Sequence, residues 1–267
     1  MPSGELIASY FGQAEKPLFG CFSGPRAGRA RSTGIVICQP IGHEYVNSHR
    51  ALRQLAVRLA AIRFPVLRFD YFGCGDSSGD SAEGRTGEWI EDLAEASSEI
   101  ARRANVTNLC FVGLRLGASI ALLGSQRGQT AALVSWDPVV KGRAYLESVI
   151  SLNQRLLRFR PKPGKQRRPD WPKDIIGFPL PRELYDEIER IDLLAVRNRP
   201  AANVLIVDTE ANPDCAGLKD TLESLGASVT LERIDAPPIW VPTENGGLQV
   251  PMNVLQSVTA WIDRTCP

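Results

Sequence analysis

Short apolar runs alternate along the chain with segments whose apolar residues recur every three or four positions. A β-branched apolar run reads as a buried strand, and the three-to-four spacing reads as a helix with one buried face. The first clear pair is 34-GIVICQP-40 and 48-SHRALRQLAVRLAAI-62. In the second, Leu52, Leu55, Ala56 and Leu59 share a face, and Ser48 is a candidate N-cap. Next come a strand, 65-PVLRFDYFG-73, a glycine-rich loop, 73-GCGDSSGD-80, and a helix, 88-EWIEDLAEASSEIARR-103. That helix is acidic at its start and ends in arginines, as its dipole favours. Strand 108-NLCFVG-113, helix 117-GASIALLGS-125 and strand 131-AALVSWDP-138 follow. The alternation breaks over 142–198, a stretch with no clear strand, and resumes with 203-NVLIVDT-209, 214-DCAGLKDTLESLGA-227, 228-SVTLERI-234 and 252-MNVLQSVTAWID-263. This order predicts an α/β fold: a mostly parallel central sheet with helices on both faces. The core is expected over 1–141 and 199–267, with 142–198 inserted as a helical lid.

Charge changes the picture only locally. The chain carries a net charge of +1, which gives no general reason to expect nucleic-acid binding. Residues 141–173 nevertheless hold ten Lys or Arg against two acids. The basic run 158–173 is a candidate contact for an acyl-carrier protein or another anionic partner, or simply a solvated part of the lid. The six cysteines form no C-x-x-C pair, so reduced thiols and a cytoplasmic location are expected. Two histidines are too few for a His-rich metal site, and no metal or cofactor is expected. No secretory-type leader and no membrane-spanning run is evident.

Ligands of such sheets bind beyond the carboxyl ends of the strands. There the stretch 108-NLCFVGLRLGAS-119 reads as strand, sharp turn and helix. A G-x-S-x-G sequence in that setting throws a nucleophilic serine to the top of the sheet. Here the middle residue of Gly113-Leu114-Arg115-Leu116-Gly117 is arginine.

Three motifs in order resemble the α/β-hydrolase fold over nearly the whole chain: 38-CQPIGHEY-45, 69-FDYFGCGDSSG-79 and the elbow-like GLRLG. More narrowly, QPIGHEY, SHRALRQLA, VLRFDYFGCGDSSGD and GLRLGAS are similar to the serine-aminopeptidase-like, hydrolase-like proteins that accompany bacterial exosortase systems. The resemblance implies an oxyanion-type loop at Gly42, His43 and Glu44, and a serine, acid and histidine triad in chain order. The acid's place falls at Asp208, Glu210 or Asp214. The histidine's place, 235-DAPPIWVPTENGGLQVP-251, contains no histidine, and none follows position 49. Nucleophile and base are therefore both missing from their expected places.

Arginine stays protonated at any working pH and is neither nucleophile nor base. Arg115 either grips an anionic ligand (a carboxylate, acyl or thioester group) beside the helix start, or pairs with a local acid such as Asp70, Asp76 or Asp208 and plugs the site. His43 is a candidate general base beside Glu44, or a loop-holding residue. Asp208 is a tentative third catalytic residue. Gly42, Glu44, Leu116 and Asp76 are candidate substrate contacts. Three functions stay open: a ligand-binding protein without catalysis, a lyase, isomerase or cyclase using His43 and Glu44, and a hydrolase with an unusual nucleophile such as Cys38 or Cys74.

Overall fold

The apolar runs form one eight-stranded sheet. The computed structural model describes residues 6–25, 29–125, 130–157, 174–242 and 247–267. The basic run 158–173 lies outside them. In chain order the strands are β1 (Leu6–Gln13), β2 (Lys16–Ser23), β3 (Thr33–Cys38), β4 (Val66–Phe69), β5 (Asn108–Leu114), β6 (Thr130–Trp136), β9 (Asn203–Asp208) and β10 (Ser228–Arg233). Two short strands, β7 (Asp174–Ile175) and β8 (Phe178–Pro179), pair apart from the sheet. The sheet order is β1-β2-β4-β3-β5-β6-β9-β10. β1 and β2 run antiparallel to their neighbours, and the remaining strands pair in parallel.

Alternation along the central strands builds two cores. On β5, Cys110, Val112 and Leu114 face one side with α1 (Gly42–Ala61) and α7 (Met252–Thr265). Phe111 faces the other side with α2 (Thr86–Ala104), α3 (Leu116–Ser125) and α6 (Asp214–Ser224). Strands buried on both faces explain why these runs lack polar alternation. Between β6 and β9 the chain leaves the sheet and forms α4 (Gly142–Leu157), the β7–β8 hairpin, α5 (Arg182–Glu189) and a short 3-10 turn (Leu193–Ala195).

The β7–β8 pair stands where no strand was expected, and two features of the core also differ from the sequence expectation. The β1–β2 hairpin was not anticipated; Gln13 pairs with Lys16 across a two-residue turn, and β1 is only half buried. The helix expected from Ser48 begins at Gly42 instead. Ser48 is interior and buried, and its hydroxyl donates to the Glu44 carbonyl at 2.7 Å. A serine that bonds back to the preceding turn sits comfortably inside a helix and gives no cap. His49 is consequently mid-helix and exposed.

The strand-to-helix turn expected at GLRLG is present. A Cβ on Gly117 would lie 2.4 Å from the carbonyl oxygens of Cys38 and Gln39. Those atoms are backbone and cannot swing away, so glycine is required for α3 to seat against the end of β3. Gly117→Ala is therefore expected to cost on the order of 2–4 kcal/mol. Urea unfolding measures this, and an unchanged midpoint would mean that the turn has slack.

Candidate functional site

The parallel register brings the ends of four strands level. Cys38 pairs with Gly113, Leu114 with Trp136, and Trp136 with Val207. The residues that follow these strands therefore converge on one edge: His43 and Glu44 after β3, Arg115 after β5, Asp137 after β6, and Thr209 and Glu210 after β9.

Arg115 occupies the turn in the left-handed region, with φ +54°. Its N–H donates to the Trp136 carbonyl at 3.0 Å, and its own carbonyl accepts from the Ala118 N–H at 3.0 Å. These bonds hold a backbone conformation that residues other than glycine seldom adopt. Its Nε donates to Glu44 Oε1 at 3.2 Å, and its Nη1 donates to Glu210 Oε2 at 3.0 Å. The guanidinium carbon lies 4.6 Å from the centroid of the Trp240 ring and 5.6 Å from that of Tyr145. The Tyr145 hydroxyl donates to the second oxygen of Glu44 at 3.2 Å. The cation is thus held by two carboxylates and two aromatic faces.

The two carboxylates differ sharply in exposure. The Glu44 side chain is 1% exposed, and that of Glu210 is 43% exposed. Burial pushes the Glu44 carboxyl above its usual range, against the pull of Arg115 and the Tyr145 hydroxyl. Burial also works against the Arg115 charge, but Glu44 and Glu210 outweigh it and hold the guanidinium protonated. Glu44 is the fixed partner and Glu210 the peripheral one. Thr209 anchors the Glu210 loop: its N–H and hydroxyl both donate to the Asp137 carboxylate, at 2.7 Å each. Burial lifts that carboxyl to about 6.

The partners expected for Arg115 as a plug were Asp70, Asp76 or Asp208, and the structure supplies Glu44 and Glu210. Asp70 is instead bound by Gln39 Nε2 at 2.9 Å, the Tyr45 hydroxyl at 3.1 Å and the Asp76 N–H at 3.0 Å. It organises its own loop. Asp76 is exposed, with its backbone tied to Asp70. Asp208 accepts from the Asn212 N–H at 3.0 Å and lies 3.6 Å from Arg233 Nε. Glu44 reaches Arg115 because α1 starts six residues before the expected cap, placing it in the first helical turn. Leu116 is fully buried in the core below α3.

His43 is 6% exposed, and its buried Nε2 has no hydrogen-bond partner among the described residues. Burial and the nearby Arg115 charge lower its pKa to about 4, so it is neutral at pH 7 and a weak base. The two Glu44 oxygens are bonded by Arg115 Nε and the Tyr145 hydroxyl. Burial pushes the Cys38 and Cys74 thiols up to about 12, which leaves them protonated. Ser119 donates to the Val139 carbonyl at 2.8 Å and is fully buried.

Beside this cluster lies a cavity of about 130 Å³. Gly42 and His43 line it from α1, Trp89 from α2, Tyr145 from α4, Phe178 from β8 and Leu184 from α5. Arg115, Asp76 and Leu116 are not part of the wall. Tyr145 both lines the cavity and faces the guanidinium. Trp240 and Tyr145 were not singled out from the sequence. Trp240 falls in the segment where the resemblance places a histidine, which was the available signal. Among the described residues no group of His, Cys, Asp and Glu could hold a metal ion, and no helix is long and apolar enough to cross a membrane.

This architecture is the α/β-hydrolase fold. Est1E from Butyrivibrio proteoclasticus, solved with ferulic acid bound, superposes with a TM-score of 0.68 at 17% identity, over 97% of this chain and 99% of that one. The esterase Pf2001 of Pyrococcus furiosus gives 0.67 at 16% identity, over 99% and 92%. XC6422 from Xanthomonas campestris, an a/b serine hydrolase without lid, gives 0.60 at 16% identity, over 100% and 97%. At such identities the likeness defines the fold alone. No protein-family model matches the sequence, and no curated protein matches it.

The two ion pairs should differ in stability. Glu44→Gln leaves a buried guanidinium half-paired and is expected to cost about 3 kcal/mol. Glu210→Gln, at the exposed pair, is expected to cost less than about 1 kcal/mol. Equal losses in denaturant titrations would refute this division. In an NMR titration the His43 ring should keep its neutral-form shifts as pH falls from 7 and change only with a midpoint near 4. A midpoint near 6.5 would place the ring in water.

Proposed function

We propose that this α/β-hydrolase-fold chain binds a small, mostly apolar, neutral molecule in the cavity beneath α4, the β7–β8 hairpin and α5, which act as its lid. It does so without an acyl-enzyme at the elbow. The observation that carries this reading is the guanidinium at the nucleophile's position, already bonded to Glu44 and Glu210. A serine-type attack needs a nucleophile and an adjacent base. Arg115 is neither, and the loop after β10 supplies Trp240 against it. One cation facing two carboxylates is not short of negative charge, so a neutral ligand fits beside it better than an anion. An apolar wall and a volume near that of a benzene-sized cavity favour a small aromatic or aliphatic occupant. Six free cysteines support a reducing, cytoplasmic setting, and the loop motifs support a place among the exosortase-associated hydrolase-like proteins.

A second reading keeps Arg115 as an anion site. The exposure of Glu210 favours it. A ligand carboxylate would take the place of Glu210 on Nη1 while Glu44 stays. Proton transfer through His43 and Glu44 has less support, since both Glu44 oxygens are bonded to Arg115 and Tyr145.

Thermal melting with toluene and with benzoate separates these readings, beside hydrolysis of p-nitrophenyl butyrate. The neutral-ligand reading expects toluene to raise the wild-type melting temperature, benzoate to leave it unchanged, and ester turnover to stay at background. Stabilisation by benzoate, strengthened in Glu210→Gln, would favour the anion site. Ester turnover abolished by a single substitution would sink both.

A further inference from the structure

The two edges of the sheet are built differently. β10, at one end, is six residues long and closes on Glu232 and Arg233. β1, at the other end, runs for eight residues, LIASYFGQ, with no charge and no proline. Its pairing with β2 shows no register shift. Gly12 takes φ +84° beside the hairpin turn, so the pairing edge is Leu6–Phe11. An edge strand leaves a row of backbone N–H and C=O groups without sheet partners, and natural edges are guarded by charge, proline, bulges or brevity. β1 lacks these guards, and among the described residues no strand lies beyond it. One face of the strand is already used: Ile7 and Phe11 pack on the core, and the Ser9 hydroxyl accepts from Arg103 Nη2 at 2.9 Å. The other face carries Leu6, Ala8 and Tyr10, all exposed. Leu6 at 58% and Tyr10 at 60% are the most exposed large apolar side chains among the described residues. The Tyr10 ring is held in place, edge-on to Phe19 with centroids 5.5 Å apart.

We propose that β1 is an interface for a second copy of this chain: two β1 strands join antiparallel about a two-fold axis at Ala8, and one sheet runs through both copies. Residues directly opposite in an antiparallel pair lie on the same face. An axis at Ala8 sets Leu6 against the partner's Tyr10 and, by symmetry, Tyr10 against the partner's Leu6. The two large exposed apolar side chains of each strand therefore cover each other. No charge meets a like charge along this register, because the strand carries none. A strand of unrelated sequence could also add to an open edge. The order Leu6, Ala8, Tyr10 on one face, with the small residue at the centre, is complementary to itself and selects a second copy. Both β1 edges are consumed in the pair, and the charged end of β10 does not offer a matching edge, so assembly closes at two.

Sedimentation equilibrium of the whole chain, from low to high micromolar concentration, makes the test. Wild type should pass from monomer to dimer and stop there. Ala8→Lys sets two lysines opposite each other on the axis and should weaken association by about tenfold or more. Ala8→Thr, uncharged and strand-favouring, should associate as wild type does. Ala8 is exposed, so both variants should melt with the dilute wild type, which shows that they are folded. Leu6→Lys combined with Tyr10→Glu brings opposite charges across the axis. The double variant should associate more tightly than Leu6→Lys alone, and salt should remove the advantage. If Ala8→Lys lowers the melting temperature, this second comparison decides. A wild type that stays monomeric throughout, or that grows beyond two, overturns the proposal. So does a dimer that Ala8→Lys leaves as tight as before, or one in which the double variant gains nothing over Leu6→Lys.

Discussion

The buried pair of Arg115 and Glu44 is the interaction on which the site depends. Neither group is tenable alone. A lone carboxylate as buried as Glu44 would take up a proton, and an unpaired guanidinium at the sheet edge would draw in water. Together they let α1, the β5–α3 turn and α4 meet without solvent between them, with Tyr145 closing the second carboxylate oxygen. Glu210 and Trp240 then cap the outer side of the cation. Elements from both halves of the sheet thus converge on a single charge. Its neutralisation decides whether the edge is a reactive cleft or a closed polar knot.

Much of the fold was legible in the sequence because it rests on local rules. Runs such as 34-GIVICQP-40 and 203-NVLIVDT-209 declare strands buried on both faces, and the glycines of GLRLG declare a sharp turn whatever stands between them. The hairpin of β1 and β2 was harder, because a half-exposed edge strand has a weak apolar signal. The start of α1 was misplaced because Ser48 has the composition of a cap and the bonding of an interior residue. The partners of Arg115 were the least accessible. Glu44 lies 71 residues away in sequence, and nothing local distinguishes it from Asp70 or Asp208. The stacking of Tyr145 and Trp240 arises from tertiary convergence. The segment after β10 was singled out for lacking a histidine, but not for the Trp240 ring it lays against Arg115.

The electrostatics of the knot extend to the neighbouring cavity. Arg115 acts on His43 through space and, with burial, keeps the ring uncharged. The histidine in the cavity wall is therefore neutral near pH 7. The two tyrosines of that wall are committed to Asp70 and Glu44, so they add rigidity and apolar surface while their hydroxyls stay engaged. The residue at the elbow therefore adds to the field on a chamber whose wall it does not join.

The strained backbone at Arg115 bears on how such a site is interpreted. A non-glycine residue at positive φ often marks catalysis, because strain persists only where the surroundings over-determine it. Here the backbone surroundings alone do so. The register of β5 with β6 supplies the Trp136 carbonyl, α3 supplies the Ala118 N–H, and the tight approach of Gly117 to the end of β3 leaves the turn no wider path. The conformation follows from the way a helix leaves the centre of this sheet. The elbow is thus a property of the fold first, and the side chain it displays is free to be a nucleophile or a counter-ion. At Arg115 the strain holds a cation beside Glu44, next to the apolar chamber.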